Sequence, residues 1–169
     1  LNTSLETPLL LDGTAAKFSF GEGELSVSIQ SERGKVDLNK APINFLKGIL
    51  REAGMTREEA DSLGDSIADW RDEDDFRRLK GAEAPDYRSA QLKFEPTNSP
   101  FRTVAELQQV VGVDPILFKR LSPLFTVHSF IEKIAPNYAP RSVLAAIPGV
   151  NMIEVESLVA VRENNKYTD

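Results

Sequence analysis

The stretch Val-Asp-Leu-Asn-Lys-Ala-Pro at residues 36–42, followed by Leu46, returns at residues 134–140 as Ile-Ala-Pro-Asn-Tyr-Ala-Pro, followed by Leu144. The shared frame is apolar-x-x-Asn-x-Ala-Pro-x-x-x-Leu. In both copies it precedes a glycine turn (Gly54; Gly149) and a second helical segment ending at Arg71 or Arg162. Self-similarity of this kind marks one supersecondary unit used twice. Pro42 and Pro140 are preorganised for a first helical turn. Asn39 and Asn137 read as caps, because an asparagine side chain can accept a hydrogen bond from an orphan backbone amide. Gly54, Gly149 and Gly112 permit a sharp reversal between paired helices. Gly112 belongs to a central segment, Val104 to Leu121, that repeats the second half of the unit. The frame predicts stacked helix pairs as the body of the molecule.

Ahead of the first copy the period changes. Lys17-Phe18-Ser19-Phe20 is one strand candidate. Glu24 to Gln30 is another, with Leu25, Val27 and Ile29 alternating with polar neighbours. Gly21-Glu22-Gly23 between them fits a hairpin loop. A two-stranded pair is marginal in water, so these strands are expected to belong to a larger sheet, partly missing here. Residues 1–16 read as a loosely structured lead-in, and Ser31 to Gly34 as a turn into Val36-Asp37-Leu38.

After Pro42, Phe45, Leu46, Ile49 and Leu50 form a helical stripe. Thr56 and Glu59 stand at capping-box spacing before Ala60, Leu63, Ile67 and Trp70, which place Trp70 in the core. Residues 71–99 are acidic and turn-rich without a clear period, and Asn98 to Phe101 reads as a turn. Helices are expected at 103–111, where Thr103 and Glu106 repeat the capping-box spacing, and at 115–121, closed by Pro123. The fold class is mainly α with a small β element.

The composition narrows the chemistry. The 169 residues are 41% hydrophobic and 27% charged, with ten prolines and ten glycines, as in an ordinary globular protein. No cysteine is present, which excludes disulfides and thiolate metal sites. The single histidine, His128, argues against a histidine zinc site or a Ser-His-Asp triad and reads as a loop or strand-end residue. No apolar run reaches the roughly 18 residues that span a bilayer. The sequence opens at Leu1 without a methionine or signal segment, as a piece trimmed from a longer chain would, so an anchor ahead of it is left open.

Ile147-Pro148-Gly149-Val150 and Val111-Gly112-Val113 look like helix-hairpin-helix turns, which in DNA-binding proteins present backbone amides to a phosphate. Such turns carry a second glycine two residues on, where this chain has Asn151 and Asp114. A carboxylate at that place and a net charge of −6, from 26 acidic and 20 basic side chains, oppose a polyphosphate. Helix pairing for architecture is the competing reading.

The acidic cluster Asp69, Asp72, Glu73, Asp74 and Asp75, followed by Glu83 and Asp86, is the one site-like constellation. Dense hard oxygen ligands suit Ca²⁺, which takes six to eight oxygens in irregular geometry, although no EF-hand spacing is present. Asp69, Asp72, Asp74, Asp75, Glu83 and Asp86 are the candidate ligands. The alternative is a solvated acidic loop paired with Arg71, Arg77, Arg78 and Lys80. Glycosidase-type paired carboxylates find no aromatic-lined cleft in the sequence.

An ordered series of short motifs carries a family resemblance. It runs from Gly34-Lys35-Val36-Asp37-Leu38-Asn39 through Ser66-Ile67-Ala68-Asp69-Trp70-Arg71-Asp72-Glu73-Asp74 to Gly81-Ala82-Glu83 with Tyr87. It continues with Asn98-Ser99-Pro100-Phe101-Arg102-Thr103-Val104-Ala105-Glu106-Leu107, then Leu121-Ser122-Pro123-Leu124-Phe125-Thr126-Val127 and Asn137-Tyr138-Ala139-Pro140. The series resembles general secretion pathway protein K, the minor pseudopilin K of bacterial type II secretion, over roughly residues 17 to 165. The resemblance implies SAM-like or helix-hairpin-helix-like subdomains inserted in a pilin-like sheet. It also implies a non-enzymatic role at the pseudopilus tip with the I and J minor pseudopilins, and calcium in the helical part. The anchor would be an N-terminal inner-membrane helix absent from this chain, leaving this part in the periplasm.

On that basis residues 1–36 are a partial pilin-like β segment. Residues 37–127 are a first SAM-like subdomain with the acidic loop 69–99. Residues 128–169 are a second helix-hairpin-helix-like subdomain that stops before the closing strands. A competence-type DNA-binding module is the alternative, with no nucleic acid expected under the main reading. The second copy departs from the first in having Ala135-Pro136 where the first has Asp37-Leu38.

Overall fold

The structure is a computed structural model that describes residues 10–164. β1 (Asp12–Phe20) and β2 (Gly23–Gln30) form an antiparallel hairpin. It turns at Gly21, whose φ of 61° lies in the region glycine adopts freely. Ala16 opposite Val27 and Phe18 opposite Leu25 put the apolar side chains on one face, and Lys17 opposite Ser26 and Ser19 opposite Glu24 put polar ones on the other. β1 begins well before Lys17, which corrects the lead-in reading from Asp12 onward. The Asp12 carboxylate accepts from the Thr14 amide (2.9 Å), and the Leu11 carbonyl from the Ser31 amide (2.8 Å), holding the strand start. The rest of that reading, residues 1–9, lies outside the described residues.

The expected larger sheet does not form among the described residues. β3 (Val36–Asp37) instead pairs in parallel with β4 (Phe125–Thr126). A 3₁₀ turn, Glu32–Gly34, steers β3 away from β2. Gly34 lies so close to the second copy of the frame that a Cβ there would come within 2.1 Å of the Tyr138 carbonyl oxygen. The buried Asp37 then fixes β3. Its carboxylate accepts from the Asn39 amide (2.9 Å), the Ser129 hydroxyl (3.0 Å) and the Phe130 amide (2.9 Å).

The repeat is physical. α1 (Ile43–Glu52) and α2 (Arg57–Arg71) form one helical hairpin, and α5 (Arg141–Ala145) and α6 (Met152–Asn164) another. At the end of α2, the Arg71 guanidinium donates to the Leu38 and Ala41 carbonyls, the latter at 2.9 Å. At the end of α6, Arg162 donates to the matching carbonyls of Pro136 (3.0 Å) and Ala139 (2.7 Å). Each arginine staples its second helix to the chain entering its first.

The turns share a grammar too. Gly54, Gly112 and Gly149 have φ of 92°, 89° and 86°, and two residues later stands a helix cap. The Thr56 hydroxyl accepts from the Glu59 amide (3.3 Å). Asp114 accepts from Leu117 (2.7 Å), at the start of α4 (Pro115–Leu121), and Asn151 from Glu154 (3.0 Å). The residue that replaces the second glycine of a phosphate-binding turn therefore caps its own helix.

The asparagines of the frame are not caps, contrary to the reading above. α1 and α5 start directly after Pro42 and Pro140 without side-chain capping bonds. Three residues ahead of those prolines, Asn39 and Asn137 cannot reach the free amides. Asn39 instead imitates a strand with its side-chain amide, donating to the Phe101 carbonyl (2.9 Å) and accepting from the Phe101 amide (2.7 Å). Asn137 lies exposed in the 3₁₀ turn Pro136–Tyr138.

Two further expectations change. The helix at 103–111 is a 3₁₀ turn, Val104–Gln109, held short between the Phe101 clamp and the bond from the Val111 amide to the Tyr87 hydroxyl (3.0 Å). The acidic stretch contains α3 (Ala84–Ser89), too brief for any stripe to show.

The core runs around α2, which is buried without a break from Leu63 to Trp70. The Trp70 ring is flanked by Tyr87 and Phe101, each with its centroid 6.0 Å away. Its stacking, with Leu46, Ile49, Leu107 and Phe125 fully buried nearby in one cluster, supplies the main apolar burial. His128 is exposed just past β4. No helix among the described residues is long and apolar enough to cross a membrane.

Candidate functional site

Asp65 and Asp69 project from one side of the C-terminal half of α2, at the i and i+4 positions that share a helix face, and Asp72 follows as the extended residue that ends the helix. Carboxylates near a helix C-terminus meet the negative end of its dipole, so each requires a counter-charge. Asp65 takes Lys47 at 2.6 Å. Asp69 has no solvent exposure and takes Arg78. The Arg78 backbone amide donates to both its oxygens (3.3 and 3.2 Å), and the guanidinium to Oδ1 at 2.6 Å. The same guanidinium also binds the Asp72 carboxylate.

Gly81 makes this closeness possible, since a Cβ there would lie 1.9 Å from Asp69 Oδ2. Burial raises the Asp69 carboxyl above its usual range, against the pull of Arg78. Burial alone would lower Arg78, yet its bonds to Asp69 and Asp72 raise it further, so it stays charged.

Glu83 is 3% exposed, and neither carboxylate oxygen has a hydrogen-bond partner. Burial first, then the charges of Asp69, Asp72 and Asp75, push its carboxyl up to about 7. Asp75 accepts from the Asn98 side-chain amide (2.7 Å), while Asn98 Oδ1 is buried without a partner, as is Asp72 Oδ1. Asp86 accepts from the Glu83 amide (2.9 Å) and pairs with Arg77 (3.0 Å). Asp74 is exposed and closes its own turn, accepting from the Phe76 amide at 2.8 Å.

The structure thus gathers Asp69, Asp72, Asp75 and Glu83, places Asp86 at the edge, and turns Asp74 to solvent. Arg71, expected to neutralise the loop, is spent on the carbonyls of Leu38 and Ala41. The buried, unpartnered Asn98 oxygen has no sign in the sequence, because a turn asparagine does not show which way its side chain packs. As they stand, no three acidic or histidine side chains among the described residues form a metal shell; the Arg78 guanidinium lies between two of the carboxylates. The unpartnered oxygens of Asp72, Glu83 and Asn98 are nevertheless the hard donors that Ca²⁺ takes, and a buried carboxylate without a partner is costly. The donor set fits a hard divalent cation.

The paired turns offer no comparable anion site. The groove between Gly54 and Gly112 is lined by Glu59, Asp114 and Arg120. The Arg120 guanidinium is already bound to the Ala53 carbonyl (2.6 Å).

Residues 25–129 match the family model for the type II secretion system (T2SS), protein K. The chain is 34% identical to the Dickeya chrysanthemi type II secretion system protein K over 84 residues, covering 50% of this chain and 22% of that protein. It is 27% identical to the Pseudomonas aeruginosa protein of the same name over 150 residues, covering 83% of this chain and 45% of that protein. The chain therefore spans between about a fifth and a half of the length of these relatives. Among solved structures it resembles a chain of the GspK-GspI-GspJ complex from the enterotoxigenic Escherichia coli type 2 secretion system. The TM-score is 0.61 at 19% identity, covering 79% of this chain and 52% of that one. That likeness is one of fold, mixed helix with small sheets. With the family model matched over more than half of its residues, the chain belongs to the type II secretion system protein K family.

Proposed function

We propose that this chain is the assembly-bearing part of a minor pseudopilin, docking with the I and J pseudopilins at the tip of the type II secretion pseudopilus and catalysing no reaction. The observation that carries the reading is the family match over residues 25–129, joined by likeness of fold to a protein solved in complex with GspI and GspJ. In this reading β1–β2 is the portion that joins a pilin-like sheet. The outer part of its apolar face is open, with Phe20 77% and Leu25 53% exposed while Ala16 is buried, as expected of a surface covered in an assembly. The helical body, with residues 37–127 as a SAM-like subdomain and 128–169 as a helix-hairpin-helix-like one, caps the filament and limits its passage through the outer-membrane channel. The protein would be held to the inner membrane by a helix outside this chain, with this part in the periplasm. Size-exclusion chromatography with soluble I and J domains tests it. One shared peak is expected, and three separate peaks contradict it.

A second element of the proposal is a Ca²⁺ site made by Asp72, Asp75, Glu83 and Asn98, with Asp69 behind them. The ion would supply positive charge to oxygens that have no partner and tie residues 72–98 to α2. Chelation is expected to lower the melting temperature, and Asp72→Ala with Glu83→Ala to remove that sensitivity. Identical melting with and without chelator contradicts the site.

A further inference from the structure

We infer that Arg78 is a built-in competitor for the divalent cation, an intramolecular counter-ion that holds the acidic loop closed until an ion displaces it. The inference rests on the cation reading above and adds a residue that sets the affinity. Arg78 bridges Asp69 and Asp72, while Asp72 Oδ1 and both Glu83 oxygens have no partner. A guanidinium cannot satisfy all of these: its donors lie in one planar fork, and its hold on Asp69 and Asp72 leaves Glu83 unserved. A compact divalent ion takes oxygens from all directions.

The two cations differ in attachment as well. The Arg78 backbone amide remains bonded to Asp69 whatever the side chain does, so the guanidinium can leave without unfolding the loop. Its side chain is 34% exposed, which gives it a route to water. Neighbouring cations do not take its place. Lys47 is engaged by Asp65, Lys80 lies nearest Asp61 at 3.8 Å, and Arg77 pairs with Asp86. Removal of Arg78 therefore leaves the site more negative and frees two carboxylates.

Calorimetric titration of Ca²⁺ into the chain and into an Arg78→Met variant, which keeps the aliphatic stem, tests the inference. The variant is expected to bind at least about tenfold more tightly, the scale of one charge-assisted hydrogen bond. Equal or weaker binding by the variant overturns the inference and leaves the cation reading standing. Absence of binding in both proteins overturns the two together. Nitrogen-15 resonances of the Arg78 guanidinium in the unmodified chain give a readout independent of the variant's folding. They should be distinct without Ca²⁺ and averaged at saturation, whereas resonances that stay distinct with Ca²⁺ bound overturn the displacement.

Discussion

The two helical hairpins follow one frame and end differently. Both open on proline, turn at a glycine with positive φ, cap the second helix two residues later, and close with an arginine on two carbonyls. Yet α2 is buried continuously from Leu63 to Trp70, whereas Val155 is the buried residue of α6 among those described. The difference is what lies over each helix. Residues 72–113 fold back across α2 and bring Tyr87, Phe101 and Leu107 onto it. α6 keeps Ile153 79% and Val161 52% exposed. A repeat encodes the hairpin; the segment between the copies decides which one becomes a core.

That contrast can be broken most forcefully at the core residues themselves. Trp70→Ala is expected to cost about 4 kcal/mol and Val155→Ala about 2 kcal/mol, measured by denaturant unfolding. Equal costs would show that α6 is as well covered as α2. Next, Asp69→Ala, which strands Arg78 beside a gap, should cost about 2 to 3 kcal/mol. That is below a fully buried pair because Arg78 can turn to solvent. Over α6 the least exposed ion pair among the described residues is Arg162 with Asp12, 4.0 Å apart; Glu156→Ala, which frees only an exposed Arg141, should change stability by less than about 1 kcal/mol.

Gly112→Ala and Gly149→Ala sharpen the shared part of the comparison. Neither Cβ would meet an atom within 4 Å, so only the positive φ opposes the change, at about 1 to 2 kcal/mol in each. A clearly unequal pair would mean the turns are not equivalent.

A further difference is with pH and belongs to the segment that lies over the first hairpin. Glu83 holds its proton more tightly when folded, about 7 against the ordinary 4.5. Its contribution to stability is full below about pH 4.5 and is lost as pH rises through about 7. Melting temperature without divalent ions should therefore fall between pH 5 and 8 more in the unmodified chain than in Glu83→Gln. Parallel profiles would remove Glu83 from the account.

Much of this was legible in residue order because it is local. Pro42 and Pro140, the glycine turns and the Thr56–Glu59 box act within a few residues, and the alternation of Leu25, Val27 and Ile29 declares a strand by itself. What escaped depends on distant partners. Asn39 looked like a cap because its frame resembles one, but its partner is Phe101, far along the chain. β3 gave no hint of pairing with Phe125–Thr126, since two residues carry no period. Within the acidic loop, composition named the carboxylates, and Arg78 stood only as one of several possible counter-charges. That it spans Asp69 and Asp72, that Gly81 makes the room, and that Asn98 has a buried oxygen without a partner are facts of packing.

The most direct test of the account is hydrogen–deuterium exchange on the chain, alone and with soluble I and J pseudopilin domains. Alone, α2 amides should exchange slowest and β1–β2 fastest. With both partners present, protection should rise across residues 12–30 while α1 and α2 change little. Exchange left unaltered throughout, or a gain confined to α1 and α2, would contradict docking through the open hairpin face.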